Sequence, residues 1–235
     1  MLVPSLACPA HCNYCFGPNE GGPVMSIDIV EAVSRWQSPH HDPLEVTFHG
    51  GEPLVAGTDF YRNALPLLQD TLAHRRVRFS VQSNLWLLTD ELCAVFKNHN
   101  VSIGTSLYGP EHITDAQRGR GYYKRTMKGI ERARSHGIEV GCICTFTPSS
   151  LPDLGEIFDF FMSESLHFTI HACMPSLHHP EAGGWALSAG EHGQLLADSL
   201  AIYLENLNRS GSARSIRSAG VSPPGAEACA PSQTA

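Results

Sequence analysis

Leu44-Glu45-Val46-Thr47-Phe48-His49-Gly50-Gly51-Glu52-Pro53 is the stretch from which the rest of this chain can be read. Its first six residues alternate apolar and polar, the period of two that sends successive side chains to opposite faces of a strand. The glycine pair and the proline end the run. The same alternation returns in Val77 to Asn84, Val101 to Tyr108 and Leu166 to Ala172, and two further strands are predicted at Leu2 to Leu6 and Glu139 to Thr147. Between them lie helical patterns: Ser26 before Ile27 to Trp36, Thr58 before Asp59 to Leu72, and Thr89 before Asp90 to His99, each with a capping residue. Further helices are expected from Tyr123 to His136, closed by Gly137, from Leu154 to Ser163, and after Ser188 to about Leu207.

Strand and helix in strict alternation are the sequence form of βα units around a parallel sheet. One face of the strands is apolar, with Val46 and Phe48, Phe79 and Val81, Ile103 and Leu107, Phe168 and Ile170. The other carries Glu45, Thr47 and His49; Ser80, Gln82 and Asn84; Ser102, Ser106 and Tyr108; His167, Thr169 and His171. Crossover helices must cover the apolar face, so the polar face of a curled sheet lines a lumen. The expected fold class is α/β, a partial (β/α)6 TIM-like barrel with its site at the C-terminal ends of the strands. A two-layer sheet with one solvated face is the alternative. The fifth strand is ambiguous, since Cys142 and Cys144 share one face while Ile143 and Thr145 share the other.

A chain of 235 residues with 42% hydrophobic content fills one substantial core and little more. One catalytic domain is therefore expected over residues 1–208. The segment from Arg209 to Ala235 is rich in Ser, Ala, Gly and Pro, too poor in large apolar residues to offset its ordering entropy, and is expected to be a disordered tail or the end of a truncated frame. The net charge of −7 and the absence of any Lys/Arg run argue against a nucleic-acid footprint. No apolar stretch approaches the roughly 20 residues of a membrane span, and a soluble, cytoplasmic protein is expected.

Three of the eight cysteines crowd into Cys8-Pro9-Ala10-His11-Cys12-Asn13-Tyr14-Cys15-Phe16, just after the first strand. Such a loop points to metal rather than to crosslinks. Three thiolates can hold three irons of a cubane and leave the fourth iron open for chemistry. Structural zinc wants four ligands in two spaced pairs, and no second pair follows. Zinc, or a cluster serving only electron transfer, is the alternative.

With Tyr14 just before the last of these cysteines, the loop resembles the C-x3-C-x2-C signature of the radical S-adenosylmethionine (radical SAM) superfamily, and Gly50-Gly51-Glu52-Pro53 looks like its GGEP element. The runs Val81-Gln82-Ser83-Asn84 and Ser106-Leu107-Tyr108-Gly109-Pro110, followed by Asp115 and Arg118, are similar to those of anaerobic sulfatase-maturating and other peptide-modifying members that usually carry a C-terminal SPASM domain. Tyr108 departs from that pattern, where relatives often have Asp. Only Cys229 lies beyond Cys173, so a cysteine-rich C-terminal domain of that kind is not expected within these residues.

The resemblance implies a barrel of the radical SAM type, with a [4Fe–4S] cluster on Cys8, Cys12 and Cys15 and S-adenosylmethionine held by His49, Gly50, Gly51, Glu52, Ser106 and Arg118. The glycine turn would take the methionyl amino group, Ser106 the ribose and Arg118 the methionyl carboxylate. It identifies no catalytic side chain. It implies an external electron donor such as flavodoxin or ferredoxin, reductive cleavage of S-adenosylmethionine to a 5′-deoxyadenosyl radical, and hydrogen abstraction from a peptide or protein. Small-molecule cofactor biosynthesis, and a cluster-binding module without turnover, are the alternatives. Cys93, Cys142, Cys144 and Cys173 are expected to be buried thiols rather than a second cluster.

Overall fold

The computed structural model describes residues 1–15, 17, 21–175 and 184–210. All six expected strands lie in one sheet: β1 (Leu2–Ser5), β2 (Leu44–Gly50), β3 (Val77–Gln82), β4 (Ser102–Ser106), β5 (Val140–Phe146) and β6 (His167–Ala172). Every pairing is parallel and the spatial order is β1-β2-β3-β4-β5-β6, so each crossover steps to the adjacent strand. The sheet is open, with β1 and β6 as its edges, which makes the fold the partial (β/α)6 arrangement. The helices are α1 (Ile27–Gln37), α2 (Gly57–Thr71), α3 (Asp90–Asn98), α4 (Glu111–Arg118), α5 (Tyr122–Ser135), α6 (Leu154–Ser163) and α7 (Ala189–Ser210). Among the described residues no helix is long and apolar enough to cross a membrane.

The core forms where the apolar strand face meets the helices. Val46, Phe48, Phe79, Val81 and Ile103 are buried there against Tyr61, Leu65 and Leu68 of α2 and Phe96 of α3. The Tyr61 ring stands edge-on to Phe48 at 5.3 Å and to Phe96 at 5.0 Å, the offset geometry that ring quadrupoles favour. Each such side chain contributes about 1.5–3 kcal/mol by leaving water. Tyr61 also donates its hydroxyl to Pro53 O at 2.9 Å, which fixes the turn after β2 to the helix that follows. On the opposite face Thr47 and Ser80 share a hydrogen bond at 2.9 Å, and Ser80 donates to Glu45 at 3.4 Å, so the polar face is a connected surface.

The structure resolves the ambiguity of the fifth strand and corrects several local expectations. β5 turns Cys142, Cys144 and Phe146 to the helix-covered face, in register with Phe168, Ile170 and Ala172, so neither cysteine reaches the polar face. β4 ends at Ser106, and Leu107 and Tyr108 are fully buried beyond it, Tyr108 among side chains rather than along an open lumen. Thr58 does not cap α2: a short turn at Pro53–Ala56 runs into the helix, and Ala56 holds the cap position. Ser26 sits at the start of α1 without a side-chain cap bond, whereas Thr89 accepts from Leu92 N at 3.1 Å as expected. α4 is an element that the periodicity does not announce. α7 runs on to Ser210, and the expected tail with Cys229 lies outside the described residues.

Candidate functional site

The cysteine loop leaves β1 at the C-terminal edge of the sheet and is held there by backbone geometry around Gly50 and Gly51. Gly51 N donates to Ser5 O at 3.1 Å and Glu52 N to Ala7 O at 2.8 Å. A Cβ on Gly51 would lie 2.2 Å from Leu6 O, and Gly50 has φ +129°, a value L side chains avoid. The glycine pair is therefore what lets the strand of the cysteine loop lie against β2. His49, half-buried, accepts from Gly50 N on Nδ1 at 2.7 Å.

Glu52 is buried and spans two strands. Its carboxylate accepts from Leu54 N at 2.9 Å, Ser83 Oγ at 2.8 Å and Asn84 N at 2.8 Å. Burial pushes its carboxyl above the ordinary range, and these three donors pull the other way. Asn84, fixed at the end of β3, donates from Nδ2 to Cys8 Sγ at 3.6 Å.

The other end of the loop docks on α4. Asn13 donates from its backbone N to Gln117 O at 3.1 Å and from Nδ2 to Ala116 O at 2.8 Å. Arg118 donates from Nη1 to Cys12 Sγ at 3.4 Å and from Nε to Tyr108 OH at 2.7 Å. Tyr14 hydrogen-bonds Tyr108 through the two hydroxyls and lies 5.8 Å from the Trp185 ring. Asp115, on α4, accepts from Gly121 N at 2.6 Å and Tyr123 N at 2.8 Å, so its carboxylate is engaged by the first amides of α5. Ser106 closes β4 on its polar face, in register with Ile143.

Cys8 and Cys12 are half-buried and Cys15 is exposed. Burial raises the Cys8 thiol, with the Ala10 amide opposing, and raises the Cys12 thiol, with Arg118 opposing. Among the described residues no group of three or more His, Cys, Asp or Glu side chains closes around a single ion. A cubane asks for a different arrangement, in which each of three thiolates takes its own iron. Three thiols on one loop, two of them receiving N–H donors from outside it, suit that group.

The structure thus brings together Cys8, Cys12, Arg118, Gly50, Gly51 and Glu52, with His49 beside the glycines on β2 and Cys15 exposed on the loop, while Ser106 stands apart from them at the end of β4, two strands from β2. Asn84, Tyr108 and Tyr14 join them from within the sequence motifs, where nothing local marks their roles, and Asn13 and Gln117 join through the docking of the loop on α4.

The family model described as the Radical SAM superfamily matches residues 2–161. An uncharacterized protein of Methanothermobacter thermautotrophicus is 42% identical over 207 residues, covering 88% of this chain and 79% of its own length. The serine-type anaerobic sulfatase-maturating enzyme of Klebsiella aerogenes is 28% identical, covering 81% of this chain and 50% of that enzyme. Among solved structures, native anSMEcpe with bound AdoMet and Kp18Cys peptide superposes with a TM-score of 0.81 at 19% identity, over 92% of this chain and 63% of that one. Streptococcus suis SuiB bound to precursor peptide SuiA gives 0.68 at 16% identity, over 93% and 48%. At these identities the structures show a shared fold, and the chain spans about half the length of the sulfatase-maturating enzyme it matches.

Proposed function

The chain belongs to the radical SAM superfamily, and from that premise we propose that it holds a [4Fe–4S] cluster on Cys8, Cys12 and Cys15 and abstracts hydrogen from a peptide or protein substrate. The observation that carries this reading is the loop itself: three thiols at the C-terminal edge of the sheet, clamped by Asn84 from one side and Arg118 from the other. When bound, the cluster and S-adenosylmethionine supply a 5′-deoxyadenosyl radical. The chain's own residues bind and orient. The turn at Gly50 and Gly51 takes the methionyl amino group beside His49, with Glu52 as its buried buttress, and Ser106 takes the ribose. Three of the five N–H groups of Arg118 are engaged by Tyr108 and Cys12, which leaves two for the methionyl carboxylate.

A peptide substrate is favoured because the similar proteins of known action are sulfatase-maturating enzymes, and because structures of the same fold carry bound peptides. An external low-potential donor such as flavodoxin or ferredoxin would reduce the cluster, and an anaerobic cytoplasm is the compartment this chemistry requires.

Anaerobic reconstitution tests the reading. The protein should carry about four irons per chain, release 5′-deoxyadenosine on reduction with S-adenosylmethionine, and lose both when Cys8, Cys12 and Cys15 are replaced together by Ala. Zinc without iron–sulfur absorption would sink it. Arg118→Ala should weaken S-adenosylmethionine binding by roughly one to two decades, the loss of a charge-assisted bond. Unchanged affinity by calorimetry refutes that role.

A further inference from the structure

Tyr108 is fully buried and forms one wall of a cage of rings around the Arg118 guanidinium. Arg118 Nε donates to its hydroxyl at 2.7 Å and Nη2 donates to the same oxygen. The guanidinium carbon lies 4.8 Å from the Tyr108 ring centroid, 5.2 Å from Tyr122 and 5.7 Å from Tyr14, all within cation–π range. The Tyr108 hydroxyl also shares a hydrogen bond with the Tyr14 hydroxyl. The cage leaves Nη1 aimed at Cys12 Sγ, 3.4 Å away. Asn84 repeats the arrangement at Cys8, donating at 3.6 Å while its own Oδ1 accepts from Trp86 N at 3.0 Å.

Donors on ligand sulfurs stabilise negative charge there, and a reduced cluster carries one more electron than an oxidised one. Such bonds favour the reduced form and raise the potential. A guanidinium swinging in solvent would be screened, whereas one fixed among three rings is not. We infer that Tyr108 is a positioning residue that fixes Arg118 on the Cys12 sulfur and so eases the one-electron reduction of the cluster by its external donor. This rests on the reading that Cys8, Cys12 and Cys15 hold that cluster. If the cage merely packs α4 on the loop, loss of the hydroxyl lowers stability and leaves the potential alone.

The test is a potentiometric titration of the anaerobically loaded full chain, followed by electron paramagnetic resonance without S-adenosylmethionine. Tyr108→Phe keeps the ring and removes the hydroxyl. It should retain its iron and show a more negative midpoint, with the reduced-to-oxidised ratio at a fixed potential falling up to ten-fold, about 59 mV for a one-electron couple. Arg118→Gln should shift it further in the same direction. A Tyr108→Phe protein with full iron and the wild-type midpoint overturns the inference. Where that variant loses iron, Arg118→Lys decides: it keeps the charge without the fork, a more negative midpoint supports the inference and an unchanged one overturns it. Loss of iron in both variants makes the cage a structural brace and also overturns it. A wild-type chain that takes up no iron overturns the cluster reading instead, and this inference with it.

Discussion

The carboxylate of Glu52 ties the end of β2 to the end of β3, because Ser83 and Asn84 both bond it from the far strand. Its oxygens face only N–H and O–H donors. Glu52→Gln turns one acceptor into a donor pointing at another donor, which typically costs about 1–3 kcal/mol. In a chain of this size that lowers the melting temperature by roughly 2–4 °C for each kcal/mol. Calorimetry of the cluster-loaded variant checks this, and an unchanged melting temperature would show that the carboxylate does not hold the two strands. The cysteines and the glycine pair are legible in sequence because their chemistry is local. The roles of Glu52 and Tyr108 are not, since Glu52 meets partners 31 and 32 positions away and Tyr14 meets Tyr108 across 94. No spacing rule reaches that far.

At the scale of elements, two helical glycines should respond oppositely to the same substitution. Gly193 lies exposed inside α7 with nothing within 4 Å of a built Cβ. Gly193→Ala should therefore stabilise the protein by about 0.5–1 kcal/mol, through the lower entropy cost of ordering alanine. Gly129 lies buried inside α5, where a Cβ would stand 2.5 Å from Leu85 Cβ and 2.8 Å from Leu85 O. Gly129→Ala must push α5 off the Leu85 turn and should destabilise by about 1–3 kcal/mol. Denaturant titration of both variants decides it, and a shift of the same sign in both would refute the packing argument. The strands and most helices are legible because one face of each is apolar at the right period. α4 is missed because what it buries, Ile113, Thr114 and Gln117, is two-thirds polar, so its inward face leaves no hydrophobic trace. β5 is ambiguous for the opposite reason, its cysteines serving as core residues.

Across the whole molecule, Cys93, Cys142, Cys144 and Cys173 are buried, and burial pushes every one of these thiols up. A raised thiol is scarce in thiolate at neutral pH, and thiolate is the reacting form. Iodoacetamide on the native, cluster-loaded protein should leave these four unmodified and label them once guanidinium unfolds the chain. Peptide mass mapping reads the result, and fast native labelling of any of them would contradict the packing. The sequential order of the sheet has a further consequence, for the time at which the cysteine loop is enclosed. Asn84 comes 76 residues after Cys8, and Arg118 comes 106 residues after Cys12. At ribosomal speeds of about 5–20 residues per second, the cysteines precede their second clamp by roughly 5–20 s. On the proposed cluster reading, the nascent loop is thus open to iron delivery before Arg118 can close on it, and closure belongs to a late stage of synthesis. A stalled chain ending before α4 should take up iron yet surrender it to a chelator faster than the finished protein; equal retention by the two would show that the loop encloses its cargo without help from the residues that arrive last.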